Sequence, residues 1–153
     1  MLVVIASQEE LKLVHELGYS NNPVLITGVG GINVIQSLKD LPKDTPILNI
    51  GYAGSNCLKV GTTVEVSKVH TNHDNAHFVE TDLYLKPFSD STFPSYPCYT
   101  NTDFVTHTEK FEPCVFDMEL AFIRAMFDNV YSIKVVSDNL SINQYRDVIK
   151  QTV

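Results

Sequence analysis

Along the 153 residues, short apolar runs alternate with segments whose apolar positions recur every three or four residues. This is the pattern of strands joined by crossover helices. Residues 2–6 read as a buried strand, and Ser7 is a candidate N-cap for a first helix with Leu11, Val14, His15 and Leu17 as its apolar stripe, ending near Gly18. Residues 24–27 read as a second strand, Gly28-Val29-Gly30-Gly31 as a tight loop, and Ile32, Ile35 and Leu38 as the apolar face of a second helix stopping before Pro42. Residues 47–50 read as a third strand, ended by Gly51 and Gly54, and residues 62–69 as a looser fourth. An irregular excursion over 70–100, with room for one short strand, precedes renewed regularity at 98–106, a helix over 119–126 and a strand over 130–136. A last helix starts near Ser141, with Ile142, Tyr145 and Ile149 at helical spacing. Strand, helix, strand, helix, strand within the first fifty residues implies parallel pairing, hence an α/β class, and the length implies one domain over 1–153.

In such sheets ligands bind beyond the carboxyl ends of the strands. Placed there are Ser7-Gln8-Glu9-Glu10, the Gly28 to Gly31 loop, Gly51-Tyr52-Ala53-Gly54 and Ser137-Asp138-Asn139. Glycines admit close backbone approach, and carboxylates accept hydroxyl hydrogens or shuttle protons, so the set suits a small polyhydroxylated or heteroaromatic ligand. The plainer readings are that Glu9 and Glu10 complement a helix dipole and that Asp138 caps the last helix.

Composition narrows the partners. Eleven Lys plus Arg against eighteen Asp plus Glu give a net charge of −7, which argues against polymeric nucleic acid and against an anionic membrane surface. No apolar run approaches the roughly 18 residues of a membrane span. The five apolar residues 2–6 are followed by Glu9 and Glu10, which is not the pattern of a signal peptide. Cys57, Cys98 and Cys114 form an odd set without zinc-like spacing and fit a reducing cytoplasm. The glycine loop has Asn33 where a dinucleotide fingerprint needs its third glycine, no acid ends the third strand, and no GK[ST] phosphate loop occurs. His70, His73, Asp74 and His77 have spacings that place imidazoles on one helical face, as a metal site needs, but their Asn-rich stretch lacks a helical stripe and reads as a solvated loop. No GxSxG elbow supports a serine nucleophile.

Taken in order, Ala6-Ser7-Gln8-Glu9-Glu10, Thr27-Gly28-Val29-Gly30, Asn49-Ile50-Gly51-Tyr52-Ala53-Gly54 and Gly61-Thr62-Thr63-Val64 form the first half of a collinear series. His73-Asp74, Thr102-Asp103-Phe104-Val105, Asp117-Met118-Glu119 and Val136-Ser137-Asp138 complete it. The series resembles the purine nucleoside phosphorylase and nucleosidase superfamily, and most closely its 5′-methylthioadenosine/S-adenosylhomocysteine nucleosidases. The resemblance implies a shortened three-layer αβα fold with a central mixed, mostly parallel twisted sheet. It implies a purine nucleoside as the small-molecule ligand, neither metal nor organic cofactor, and a homodimer contacted through the His73-Asp74 region. By position, Asp138 resembles the acid at purine N7, Glu10 the acid beside the attacking water, and Glu119 with Met118 the ribose clamp. Phe104 resembles the stacking aromatic, while Val105 and Ser137 resemble base-reading residues and Gly51, Tyr52, Ala53 and Gly54 the glycine turn. Tyr52 stands where the nucleosidases carry a small residue, and Lys134 where an Arg is expected. Family members commonly exceed about 200 residues, and the shortfall falls between Val66 and Asp117 and after Asp138. The expected chemistry is hydrolysis of the N-glycosidic bond, since a phosphate site needs a cationic clamp. The chain has two arginines, Arg124 and Arg146, with Asn49 where phosphorylases of this group carry Arg. Phosphorolysis, and a binding relative with little turnover, are the alternatives.

Overall fold

The first apolar run, Leu-Val-Val-Ile, is buried on both sides, as a strand enclosed in a parallel sheet must be. In the computed structural model, which describes residues 1–71, 83–88 and 92–150, it forms β1 (Leu2–Ile5). A single 3-10 turn (Gln8–Glu10) leads into α1 (Leu11–Glu16), and Gly18, at φ +87°, lets the chain reverse toward β2 (Val24–Ile26). There follow α2 (Gly31–Leu38), β3 (Ile47–Ser55), β4 (Thr63–Thr71), β5 (Leu83–Tyr84), β6 (Ser95–Thr100) and β7 (Val115–Asp117). The chain continues through α3 (Leu120–Met126), β8 (Val130–Asp138) and α4 (Ile142–Ile149).

Among the described residues these eight strands form one mixed sheet. Parallel pairs join β1 to β2 and β3, β3 to β8, and β6 to β4 and β7. Antiparallel pairs join β3 to β7, and β4 to β5 and β8. Because β8 touches both β3 and β4, the path from β3 through β7, β6 and β4 returns through β8, so the sheet closes into a barrel from which β1 and β2 extend. The α/β class and mostly parallel sheet agree with the sequence; the closure was not legible there, since it rests on long-range pairing.

Helices cover both faces. On one, Val3, Ile5, Leu48 and Ile50 pack on Leu13 and Val14 of α1. On the other, Val4, Ile47 and Ala53 join Val34 and Leu38 of α2 and Leu120, Ile123 and Phe127 at α3. The strict alternation of Val3 and Val4, or Leu48 and Ile47, between the two clusters is the period of a strand.

Several expectations change. Gly51-Tyr52-Ala53-Gly54 is not a turn: β3 runs through it to Ser55, paired along its length with β8. Regular structure near 98–106 ends at Thr100, and residues 101–114 carry no helix or strand. On α2 the buried pair is Val34 and Leu38, while Ile32 and Ile35 face outward at 74% and 46% exposure. On α1, Leu13 and Val14 are buried, whereas Leu11 is exposed. These misassignments share a cause: one helix turn carries apolar residues on two faces, and only tertiary packing chooses between them. His73, Asp74 and His77 lie outside the described residues. His70 sits on β4, buried with its ring stacked on Tyr99. Among the described residues no group of three His, Cys, Asp or Glu side chains is placed to hold a metal ion, and no helix is long and apolar enough to cross a membrane.

Phe127 ends α3 at 1% exposure against both α2 and the sheet-facing cluster. Truncation to Ala should cost about 3–5 kcal/mol, read as a lower denaturant midpoint at unchanged m-value.

Candidate active site

A chain of short-range decisions brings the acids together at the carboxyl ends of β1, β3, β7 and β8. After β1 the backbone tightens into the 3-10 turn, and the side chain of Glu10 bends back so that Oε1 accepts the N–H groups of Ala6 (2.8 Å) and Ser7 (3.4 Å). This is the reach of an N3 glutamate in a capping box. Its Oε2 accepts the N–H of Tyr52 at 2.7 Å, tying the turn to β3. The carboxylate crosses β3 over Gly51, where an added Cβ would lie 2.5 Å from Oε2, so this strand position requires glycine. Burial pushes the carboxyl of Glu10 up, against the field of Lys134 and the three N–H donors.

Beneath it lies the one buried lysine or arginine among the described residues. Lys134, in the apolar run of β8, places Nζ 3.1 Å from Asp117 Oδ2 at the end of β7, both side chains 1% exposed. Asp117 also accepts from Thr100 Oγ1, Cys98 Sγ and the N–H of Leu120. Burial alone would raise its carboxyl, but Lys134 and these donors bring it below the usual range, so it is a permanent anion. The ammonium is correspondingly held protonated: burial works against the charge, and Asp117, with Glu10 and Glu119 behind it, prevails.

Glu119 precedes α3 and spans to the glycine loop, its Oε2 accepting the N–H of Gly30 at 2.8 Å. Burial first, then repulsion from Asp117, lifts its pKa to about 7, with Lys134 and Gly30 opposing. Asp138 closes β8. Its Oδ1 accepts the Ser137 hydroxyl at 2.7 Å and its Oδ2 the N–H of Leu140 at 2.9 Å. Leu140 adopts φ +65°, the strained turn that lets α4 start within four residues of the acid. Burial raises the Asp138 carboxyl, against the donors from Ser137, Leu140 and Ser141. Asp138 is therefore a buried acid with both oxygens oriented, and capping of α4 falls instead to Ser141, whose hydroxyl accepts from Gln144 N–H at 3.3 Å.

Glu10, Glu119 and Asp138 face one cavity of about 190 Å³, whose wall also includes Met118, Ser137, Phe104 and Tyr145. Ala53 and Gly54 form its floor along β3, and Tyr52 contributes to the edge. The ring of Tyr52 packs with the α1-side cluster near the Lys12 ammonium, 5.6 Å from its centroid. Val105 does not line this cavity; it borders a small adjoining space of about 30 Å³ together with Phe104, Met118 and Asp138. Gly51 does not line the cavity; its contribution is the space it leaves for Glu10. A larger hollow of about 840 Å³ is lined by residues 101–110 alone, with no wall from another element.

Sequence reasoning missed the Lys134–Asp117 pair and Tyr145. A lysine inside the run Ile133-Lys134-Val135-Val136 was the available signal, because a charge in a fully buried strand needs a partner. Tyr145 lay on the expected stripe of the last helix, but nothing local says that this stripe meets a cavity.

No protein-family model matches the sequence, and no curated protein matches it. The fold, by contrast, has close structural counterparts. The MTAN of Chlamydia trachomatis superposes with a TM-score of 0.74 at 19% identity, covering 97% of this chain and 86% of that one. The 5′-methylthioadenosine/S-adenosylhomocysteine nucleosidase of Helicobacter pylori, solved in complex with a pyrrolopyrimidine-substituted pyrrolidinol, gives 0.73 at 14% identity, covering 98% and 90%. The futalosine hydrolase of Helicobacter pylori gives 0.71 at 13% identity over the same shares. The chain thus has the nucleosidase fold that its sequence resembles.

The elevated Glu119 value has a consequence for stability. On unfolding, the carboxyl returns from about 7 to the ordinary 4.5. As pH rises from 4.5 to 7 the unfolded chain releases this proton first, so the contribution of Glu119 to stability falls through that window and is level above it. Denaturant midpoints of wild type and Glu119→Gln should therefore diverge between pH 4.5 and 7, the wild type losing ground; parallel profiles would show that Glu119 titrates normally.

Proposed function

We propose that this protein hydrolyses the N-glycosidic bond of a purine nucleoside, with an adenine nucleoside such as 5′-methylthioadenosine or S-adenosylhomocysteine as the substrate. The observation that carries this reading is the convergence of Glu10, Glu119 and Asp138, from three separate segments, on one cavity with Met118 and Phe104. In the mechanism, the C1′–N9 bond breaks as its electron pair moves into the purine, and Asp138 supplies the proton to N7. An acid for this task needs a pKa raised toward neutrality, and burial acts on Asp138 in that direction. Glu119 accepts the ribose hydroxyl hydrogens, Met118 lies along the sugar, Phe104 stacks on the base, and Ser137 and Val105 read its edge. Water adds to C1′ and gives its proton to Glu10. The oxocarbenium-like sugar is cationic, and a pocket of fixed carboxylates favours that charge as it develops.

Water rather than phosphate is the nucleophile in this reading because, among the described residues, no lysine or arginine lines the cavity. Lys134 is committed to Asp117, and Arg124 donates to the carbonyls of Tyr84 and Phe127. Arg146 is exposed on α4, and Asn49 is spent within the sheet, donating to Val4 O and accepting from Ser132. We also propose a homodimer. Ile26, Val29, Ile32 and Ile35 give the α2 side an exposed apolar face, and Val29 also borders the cavity, so a second copy seated there would adjoin the site.

Asp138→Asn should lower base release at least about a thousandfold while nucleoside affinity stays within about tenfold, since the amide keeps the shape but cannot give up a proton. Full turnover in that variant sinks the mechanism. Base release from methylthioadenosine, adenosylhomocysteine, adenosine or inosine should proceed without phosphate. Release only with phosphate makes the protein a phosphorylase, and binding without release makes it a nucleoside-binding relative. Sedimentation should find a dimer that Ile32→Glu converts to monomer.

A further inference from the structure

The acid assigned to protonate the base stands at an irregularity in the sheet. Between β3 and β8 the register runs from Ala53 opposite Val136 to Gly54 opposite Asp138, so Ser137 is the extra residue of a β-bulge. Bulges bend a strand and re-aim its side chains. Here the bulge sets Asp138 over Gly54, where an added Cβ would lie 3.0 Å from Asp138 Oδ2 and 3.3 Å from Leu140 Cδ2. Two residues on, Leu140 takes φ +65°, a conformation that leucine adopts only when its surroundings impose it. In this conformation the Leu140 N–H donates to Asp138 Oδ2 at 2.9 Å. The orientation of the acid therefore depends on a strained turn, and strain of this kind persists only where neighbouring contacts hold it.

Asn139, between Asp138 and Leu140, supplies those contacts on both sides of the turn. An asparagine amide has two protons to donate, and Nδ2 of Asn139 donates to Leu58 O at 2.7 Å and to Ser55 O at 3.2 Å. Its backbone N–H donates to Gln144 Oε1 on α4 at 2.8 Å. The anchor at the end of β3 is itself firm. Ser55 is fully buried, its hydroxyl donating to Cys114 O at 2.8 Å and accepting the N–H groups of Leu58 at 3.0 Å and Cys57 at 3.4 Å. No residue of α4 is buried, so core packing does not hold the turn from the helix side. Asn139 is exposed and does not line the cavity, which leaves it no direct contact with a ligand there.

We propose that Asn139 is a positioning residue for Asp138: the bonds from its side chain to the carbonyls of Ser55 and Leu58 hold the Leu140 turn, and through it the carboxyl of Asp138, in place for proton transfer to the base. This rests on the nucleosidase reading and adds to it a residue that acts only through the acid. Misplacing a reacting group by about 1 Å costs as much as a hundredfold in rate. The contacts assigned to ribose and base, from Glu119, Met118 and Phe104, come from other segments and do not depend on this turn.

The test is a double-mutant cycle on base release from 5′-methylthioadenosine by wild type, Asn139→Ala, Asp138→Asn and the double variant. Asn139→Ala should lower kcat about tenfold with KM within about threefold. In the Asp138→Asn background, where no proton is left to position, the same change should cost less than about twofold. Gln144→Ala removes the acceptor of the Asn139 N–H and should lower kcat about threefold. If Asn139→Ala does not fold, Gln144→Ala decides, and wild-type kcat there overturns the proposal. Wild-type kcat in folded Asn139→Ala, a loss carried by KM, or an undiminished loss in the Asp138→Asn background also overturns it, while leaving the nucleosidase reading intact. A wild type that releases no base removes both.

Discussion

A single buried ion pair organises the working end of this fold. Lys134 on β8 and Asp117 on β7 both flank β3, and their charges meet 3.1 Å apart with almost no exposure. Such a pair stabilises little in net terms against an apolar replacement, but removing one partner strands a charge and costs roughly 3–5 kcal/mol. Its presence forces other choices. At Gly51 an added Cβ would lie 2.5 Å from the Glu10 carboxylate, which three N–H donors hold in place, and 3.3 Å from the ammonium. Asp117 must be saturated with donors, which Thr100, Cys98 and Leu120 supply from β6 and α3.

From that pair the acids above divide into roles. Burial, and then repulsion from the ionised Asp117, lifts Glu119 to about 7, while Lys134 restrains both Glu119 and Glu10 from rising further. Asp138 stands outside this field, and its elevation comes from burial at the end of β8, beside the turn that launches α4. Four carboxyls line one space, Asp117 ionised by its pairing with Lys134 and Glu10, Glu119 and Asp138 each in a different environment, which is the condition for assigning them different tasks. Lysine suits the position beneath them as a compact point charge directed at one carboxylate.

The early part of the fold was legible because it is local. The runs at β1 and β2, the punctuation by Gly18 and Pro42, and the acids at the strand ends all follow from neighbours in sequence. The strand-end rule places Glu10 and Asp138 at one edge, the family resemblance adds Glu119, and all three line the cavity. What was not legible depends on distance. Gly51 and Gly54 resemble a turn, yet neighbouring side chains need the space over β3 that they leave, which only the pairing with β8 and the path of Glu10 reveal. Ile32 and Ile35 look like a core face, but Val34 and Leu38 win because α3 lies on their side. Val105 adjoins Phe104 in sequence and still does not line the cavity that Phe104 lines.

Burial beside a fixed ion pair lifts the Glu119 carboxyl to about 7, between its charge states, on the wall of the cavity. Carboxyl-resolved NMR titration of protein labelled at glutamate tests it most directly, with the Glu119 resonance identified by its loss in Glu119→Gln. The account predicts a Glu119 midpoint near 7; a midpoint near the ordinary 4.5 would contradict it.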